Sequence, residues 1–239
     1  MIWLLMVAGL FAVAGDSVLR QTDYFFEHRH LSNDSLAGCK RILDSLVAFD
    51  STDSQALWRL GRYYYEVGSG SKVKKDKLAN LYRARTLLEK SLGHNERNHE
   101  AHFFRGATLG RIGQVRGKMK SLFLIKPIKH SFRRSLELDC RYVRTLGGLG
   151  TLYDELPGVV GGDQARAIRY FDQAIATDSN YTYAYVALSR TYSSSHRKEL
   201  AQPLLERVLS TSNPTYPADY WLEDRPAAIR MLAEISSGP

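Results

Sequence analysis

The apolar residues of this chain recur at helical spacing, and the small residues among them recur on a longer beat. Ala56, Leu57, Leu60, Gly61 and Tyr64 share one stripe of a 3.6-residue helix. Ala84, Leu88 and Ser91 form a second stripe, small, large and small at spacings of four and three. Seventeen positions beyond Ala84 comes Ala101, which opens a new first-helix stripe with His102, Arg105, Gly106 and Leu109. The same step links Ile128, Phe132 and Ser135 to Thr145, Leu146, Leu149, Gly150 and Tyr153. It also links Ala167, Phe171 and Ala174 to Ala184, Tyr185, Leu188, Ser189 and Tyr192, and then Ala201, Leu205 and Val208 to Ala218. Backward from Ala56, the step reaches Cys39, Leu43 and Leu46. Small residues let adjacent helices approach while Leu and aromatic residues fill the seam, so the pattern predicts stacked helical hairpins.

This code resembles the tetratricopeptide repeat. We therefore expect an all-α fold, a tetratricopeptide-like right-handed helical-hairpin solenoid with irregular inserted repeats. The expected organisation is a signal peptide over 1–14 and one helical domain over 15–239. Its repeats fall near 54–98, 99–142, 143–181 and 182–215, between flanking N- and C-terminal helices. The insertion Gly68 to Lys77, rich in Gly, Ser and Lys, is expected to be a mobile surface loop. A second insertion, Met119 to Ile125, is apolar and basic together, and extends a helix or lies across a neighbour. A third, Leu156 to Asp163, reads as a turn whose Asp163 caps the next helix.

Charge and cysteines refine this picture. The net charge of +8 is matched by one stretch, Arg111 to Arg134, which carries Arg111, Arg116, Lys118, Lys120, Lys126, Lys129, Arg133 and Arg134 and no acid. Such a run suits an anionic surface, or is simply a solvated face. Residues 1–14 are uncharged and end in Ala12, Val13 and Ala14, the small-x-small pattern of a cleaved export signal. Export, with a periplasmic location, is the expectation, and the segment is too short to span a bilayer as a helix. Cys39 and Cys140 fall two repeats apart, so two buried free thiols are expected in place of a disulfide.

The segment LPGVVGGDQARAIRYFDQAIATDSNYTYAYVALSRTY resembles the TRAP transporter T-component, or TatT-like, family, and the likeness extends over roughly residues 30 to 215. It implies a periplasmic repeat protein that associates with the solute-binding subunit of a transporter, although no lipobox Cys follows the apolar segment. Gly106 to Asp139 is similar instead to the regulator of microtubule dynamics family, which shares an inserted, basic repeat. The export pattern favours the first resemblance, because a microtubule partner is cytosolic.

Tetratricopeptide proteins bind on the face made by their first helices. The register places Trp58, Arg62, Tyr65, Phe103, Gly147, Thr151, Tyr183 and Arg190 there, an aromatic and cationic groove suited to an acidic peptide or a partner helix. The plainer alternative is that Trp58 and Tyr183 pack on neighbouring helices. Gly147, Gly148 and Gly150 each cost a helix about 1 kcal/mol, which either close helix packing or room for a ligand would explain. No catalytic, metal or phosphate-loop constellation stands out: His28 with His30, and His99 with His102, lack metal-binding helical spacing. Asn33 and Asn180 open glycosylation triplets that matter only in a eukaryotic host. The expected partner is a protein, with an anionic surface or a second copy of the chain left open, and with neither nucleic acid nor cofactor. The function expected is binding or scaffolding and not catalysis, as a transporter accessory or as a scaffold at a membrane surface.

Overall fold

The computed structural model describes residues 16–32, 34–117 and 121–237. Among them every regular element is helical. The chain divides into two compact units, one ending at Glu96 and the other beginning at Arg97, where a single domain was expected. The expected signal segment 1–14 lies outside the described residues, as do Asn33, Lys118, Met119 and Lys120.

The first unit contains α1 (residues 16–27), α2 (Asp34–Phe49), α3 (Ser54–Gly70) and α4 (Lys74–His94). Asp53 caps α3, its carboxylate accepting from the backbone N–H groups of Gln55 and Ala56. The coded residues hold α3 to α4. A Cβ built on Gly61 would lie 2.7 Å from Leu88 Cγ, and Ser91 Oγ donates to Ser54 O at 2.8 Å. Ala56, Ala84 and Cys39 are all fully buried. The segment Gly68 to Lys77 is not a loop, because α3 continues to Gly70 and α4 starts at Lys74. Tertiary packing overrides its weak helix propensity: Gly68 is buried, and a Cβ there would meet Leu81 Cγ at 3.0 Å.

The second unit contains α5 (His99–Arg116), α6 (Ile125–Leu138), α7 (Val143–Glu155), α8 (Gln164–Thr177), α9 (Thr182–Ser194), α10 (Lys198–Leu209) and α11 (Arg225–Ser236). A short turn, Pro217–Asp219, and a π-helical stretch, Tyr220–Asp224, lead into α11. Gly106 sits beneath Phe132 and Gly150 beneath Phe171, with built Cβ distances of 2.6 and 2.5 Å. Ser135 Oγ donates to His99 O at 2.8 Å, the counterpart one repeat later of the Ser91 bond. Ala167, Ala174, Ala184, Ala201 and Ala218 are all fully buried. The register read from sequence is thus the packing register of both units.

The described residues of the second insertion include a 3-10 turn, Leu122–Leu124, ahead of α6, with Leu124 buried and Leu122 and Phe123 exposed. In the third, Asp163 caps α8 by accepting from the Arg166 backbone N–H at 2.9 Å. Gly161 there takes the left-handed φ of 93° that favours glycine. Both cysteines are free, but only Cys39 is buried. Cys140 is exposed because it lies in the turn between α6 and α7, off the packing stripe.

Candidate partner-binding face

In the first unit Arg62 meets the chain's own α1, while Trp58 is packed along α3. Trp58 is 1% exposed, its Nε1 donating to Gln55 Oε1 at 3.0 Å, with the Arg59 guanidinium 4.4 Å from its ring. Arg59 forks onto the Asp23 carboxylate at 2.8 and 2.7 Å. Arg62, 5% exposed, donates to Glu27 Oε1 at 2.7 Å, lies 4.3 Å over the Phe26 ring and sits 3.8 Å from Glu66. Arg29 adds an ion pair to Glu66 at 3.4 Å. Trp58 and Arg62 are both buried and therefore do not form an open wall: α1 holds Arg62 directly, and Trp58 lies under Arg59, which Asp23 of α1 holds. Tyr65 is half-buried on the same helix. Sequence reasoning missed the acidic side of the network, whose signal was a pair of matched spacings: Asp23 and Glu27 four apart, facing Arg59 and Arg62 three apart.

In the second unit the structure brings Gly147, Thr151 and Tyr183 together. Tyr183 hydroxyl lies 2.6 Å from Thr151 Oγ1, and a Cβ on Gly147 would meet Tyr181 OH at 3.0 Å and Tyr183 Cδ1 at 3.1 Å. Gly148 faces Phe132 in the same way. The three glycines of α7 thus lie under aromatic rings of their own unit, and close packing accounts for them. Phe103 is buried among Phe104, Phe132 and Tyr142. Arg190 is exposed, and its charge acts on Asp154, whose carboxyl burial raises above the ordinary range. Arg144, on α7 with Gly147 and Thr151, pairs with Asp219 at 2.9 Å and stacks on Tyr216 at 3.6 Å. Aromatic packing inside the unit holds most of the expected second-unit groove residues, and Arg190 reaches solvent.

The basic run is partly paired. Arg134 bonds Glu137 at 3.0 Å, Arg111 donates to Gln114 Oε1 at 3.2 Å, and Arg116 lies 5.8 Å from the Phe123 ring. Arg111, Arg116, Lys126 and Arg133 are exposed, whereas Lys129 and Arg134 are half-buried. Among the described residues no cluster of three or more His, Cys, Asp or Glu is placed to hold a metal ion. Nor, among them, is any helix long and apolar enough to cross a membrane.

The model of the family described as Regulator of microtubule dynamics protein 1-3 matches residues 18–156. The chain belongs to this family. Regulator of microtubule dynamics protein 1 of Bos taurus is 26% identical over 205 residues, a match covering 78% of this chain and 62% of that protein. The Mus musculus protein of the same name is 24% identical over 204 residues, covering 78% and 64%. The chain thus spans less than two thirds of the length of these relatives. Among solved structures, a thermophilic TPR protein of Thermus thermophilus aligns with a TM-score of 0.65 at 13% identity, over 90% of this chain and 99% of its own. MamA from Desulfovibrio magneticus gives 0.53 at 18%, over 81% and 98%. At such identities these likenesses show the tetratricopeptide fold and no more.

The family match overturns the TRAP T-component resemblance, and the periplasmic solute-binding partner inferred from it loses its basis. The packing code is generic to stacked hairpins, so a shared pattern of small, Leu, Gly and aromatic positions does not separate one repeat family from another. Most of the segment that carried that resemblance also lies beyond the residues that the family model matches.

Proposed function

We propose that this chain is a non-enzymatic docking protein that contributes to microtubule regulation by binding a protein partner. The observation that carries this reading is the family match over 18–156, joined to a repeat fold that presents side chains for docking. Partner contact is assigned to the second unit, through the exposed cations Arg111, Arg116, Lys126 and Arg133 and through Arg190. An acidic partner surface would be attracted to these charges, and the attraction would weaken as salt rises. The test is co-sedimentation of the chain with polymerised microtubules at low and high salt. Salt-sensitive binding that fails when Arg111, Arg116, Lys126 and Arg133 are all changed to Glu supports the reading. No co-sedimentation at low salt, or binding indifferent to charge reversal, rejects it.

Exposed Leu122 and Phe123 beside Arg116 and Lys126 favour a second reading, a scaffold that docks on an anionic membrane surface. Flotation with anionic vesicles, lost in a Leu122→Ser, Phe123→Ser variant, would support it. Absence of flotation would remove it.

A further inference from the structure

In the second unit, Arg133 of α6, Tyr153 of α7 and Arg166, Arg169, Tyr170 and Gln173 of α8 line an open cavity of about 400 Å³. Its cations converge. Arg166 Nη1 donates to the Tyr153 hydroxyl at 3.2 Å, and Arg133 and Arg169 line the same cavity. The Lys129 ammonium lies 5.0 Å from the centre of the Tyr153 ring. The Tyr153 and Tyr170 rings are stacked 5.7 Å apart with planes 5° from parallel, which makes one flat wall.

Acidic compensation is thin. Asp163 pairs with Arg166, Oδ2 to Nε at 3.5 Å, while its Oδ1 caps α8, so it offsets one of the three guanidinium charges. Glu137 is taken up by Arg134. Three guanidinium groups lining one cavity, with the Lys129 ammonium near its Tyr153 wall, repel one another, and an anion among them would relieve that repulsion. Tyr153 senses the same field. Burial alone would raise its pKa, yet the Arg166 bond and the Lys129 and Arg166 charges outweigh burial and bring it below the usual tyrosine value.

We propose that this cavity is a binding site for a phosphoryl dianion, held by Arg133, Arg166 and Arg169 with Tyr153 and Gln173 as further donors. Guanidinium forks match phosphate oxygens two at a time, and a compact dianion answers convergent cations better than an extended acidic segment does. The dianion is either a free phosphate or a phosphoserine on a peptide. The site shares Arg133 with the docking surface, but Arg166 and Arg169 lie outside that set, so Arg169→Gln tests this assignment apart from the docking reading.

The experiment titrates the full chain, carrying ring-labelled tyrosine, with inorganic phosphate, with a short phosphoserine peptide and with its unphosphorylated counterpart. Saturable binding that moves Tyr153's titration upward, toward the ordinary tyrosine value, supports the site. A tighter phosphopeptide assigns the protein-borne source, and phosphate of equal or greater affinity the free one. Arg133→Gln and Arg169→Gln, both at exposed positions, should each weaken binding about tenfold or more. Arg85→Gln, at a position paired with Glu89 on α4, should leave it unchanged. No saturable binding of either phosphoryl ligand, equal binding of glutarate, or affinity unaltered in both pocket variants overturns the proposal.

Discussion

Replacing Asp224 by Asn should stabilise the chain near pH 8 and leave it little changed near pH 5. Asp224 ends the π-helical stretch before α11, is 4% exposed and accepts from Thr182 Oγ1 at 2.7 Å. Burial pushes its carboxyl from the ordinary 3.8 up to about 7; the Thr182 bond and Arg144 pull it down, while Asp219 and Glu223 push it further up. Above about pH 7 the group is ionised in both folded and unfolded chains, and the full cost of burying the charge is present. As pH falls below that value the folded chain takes up a proton while the unfolded chain stays ionised down to 3.8. This group's stabilising contribution is therefore complete below the unfolded value and is lost as pH rises through the folded one. At roughly 1.4 kcal/mol per pH unit the cost near pH 8 is at most about 4 kcal/mol. Asn keeps the acceptor for Thr182 but adds a buried N–H2 group that needs partners, so we expect a gain of about 1 to 3 kcal/mol. Urea unfolding of both proteins across about pH 5 to 8, followed by far-ultraviolet circular dichroism, measures the difference. A variant less stable than the parent near pH 8, or a difference that does not change with pH, would refute the reasoning.

Arg62→Ala should cost about 3 to 5 kcal/mol, because it removes the buried cation that pairs with Glu27 of α1 and leaves Glu66 to Arg29 alone; denaturant unfolding checks this, and a loss under about 1 kcal/mol contradicts it. Gly150→Ala should destabilise by about 1 to 3 kcal/mol, since its methyl would lie 2.5 Å from Phe171 Cε1. Gly110→Ala, where a Cβ meets nothing within 4 Å inside α5, should instead stabilise by roughly 0.5 to 1 kcal/mol, and calorimetry of the pair tests the contrast. Under native conditions a thiol reagent should modify Cys140 alone. Cys39, fully buried with its thiol raised to about 12 by burial, should react only after unfolding, so rapid labelling of both would contradict the packing of α1 on α2.

The hairpin register was legible because its code is local and repeated. Gly61 beneath Leu88, Gly106 beneath Phe132 and Gly150 beneath Phe171 are one contact made three times, fixed by residue size at constant spacing. Where an outcome depended on distant partners, the sequence was less explicit. Gly68 to Lys77 has loop composition but is largely helical, because Leu81 packs on Gly68. Arg62 has the look of a ligand-binding cation, yet its partner Glu27 comes from 35 residues upstream. The cavity around Tyr153 escaped notice for a related reason: Arg133 belonged to the basic run, but Arg166 and Arg169 join it only when α8 packs beside α6 and α7.

Each unit uses a flanking segment to neutralise cations on a first helix. In one, Asp23 and Glu27 of α1 hold Arg59 and Arg62; in the other, Asp219 and Tyr216 hold Arg144. A ligand competing for these guanidinium groups must displace carboxylates whose position is enforced by burial of Phe26 in one unit and of Ala218 and Tyr220 in the other. Breaking such partly buried pairs costs several kcal/mol before any new contact forms, whereas an exposed cation is engaged at almost no structural cost. Binding energy should therefore concentrate on charges that the fold leaves outward. Arg190, the exposed cations Arg111, Arg116, Lys126 and Arg133 and the cavity around Tyr153 meet that condition, which is why the docking and phosphoryl proposals are assigned to them.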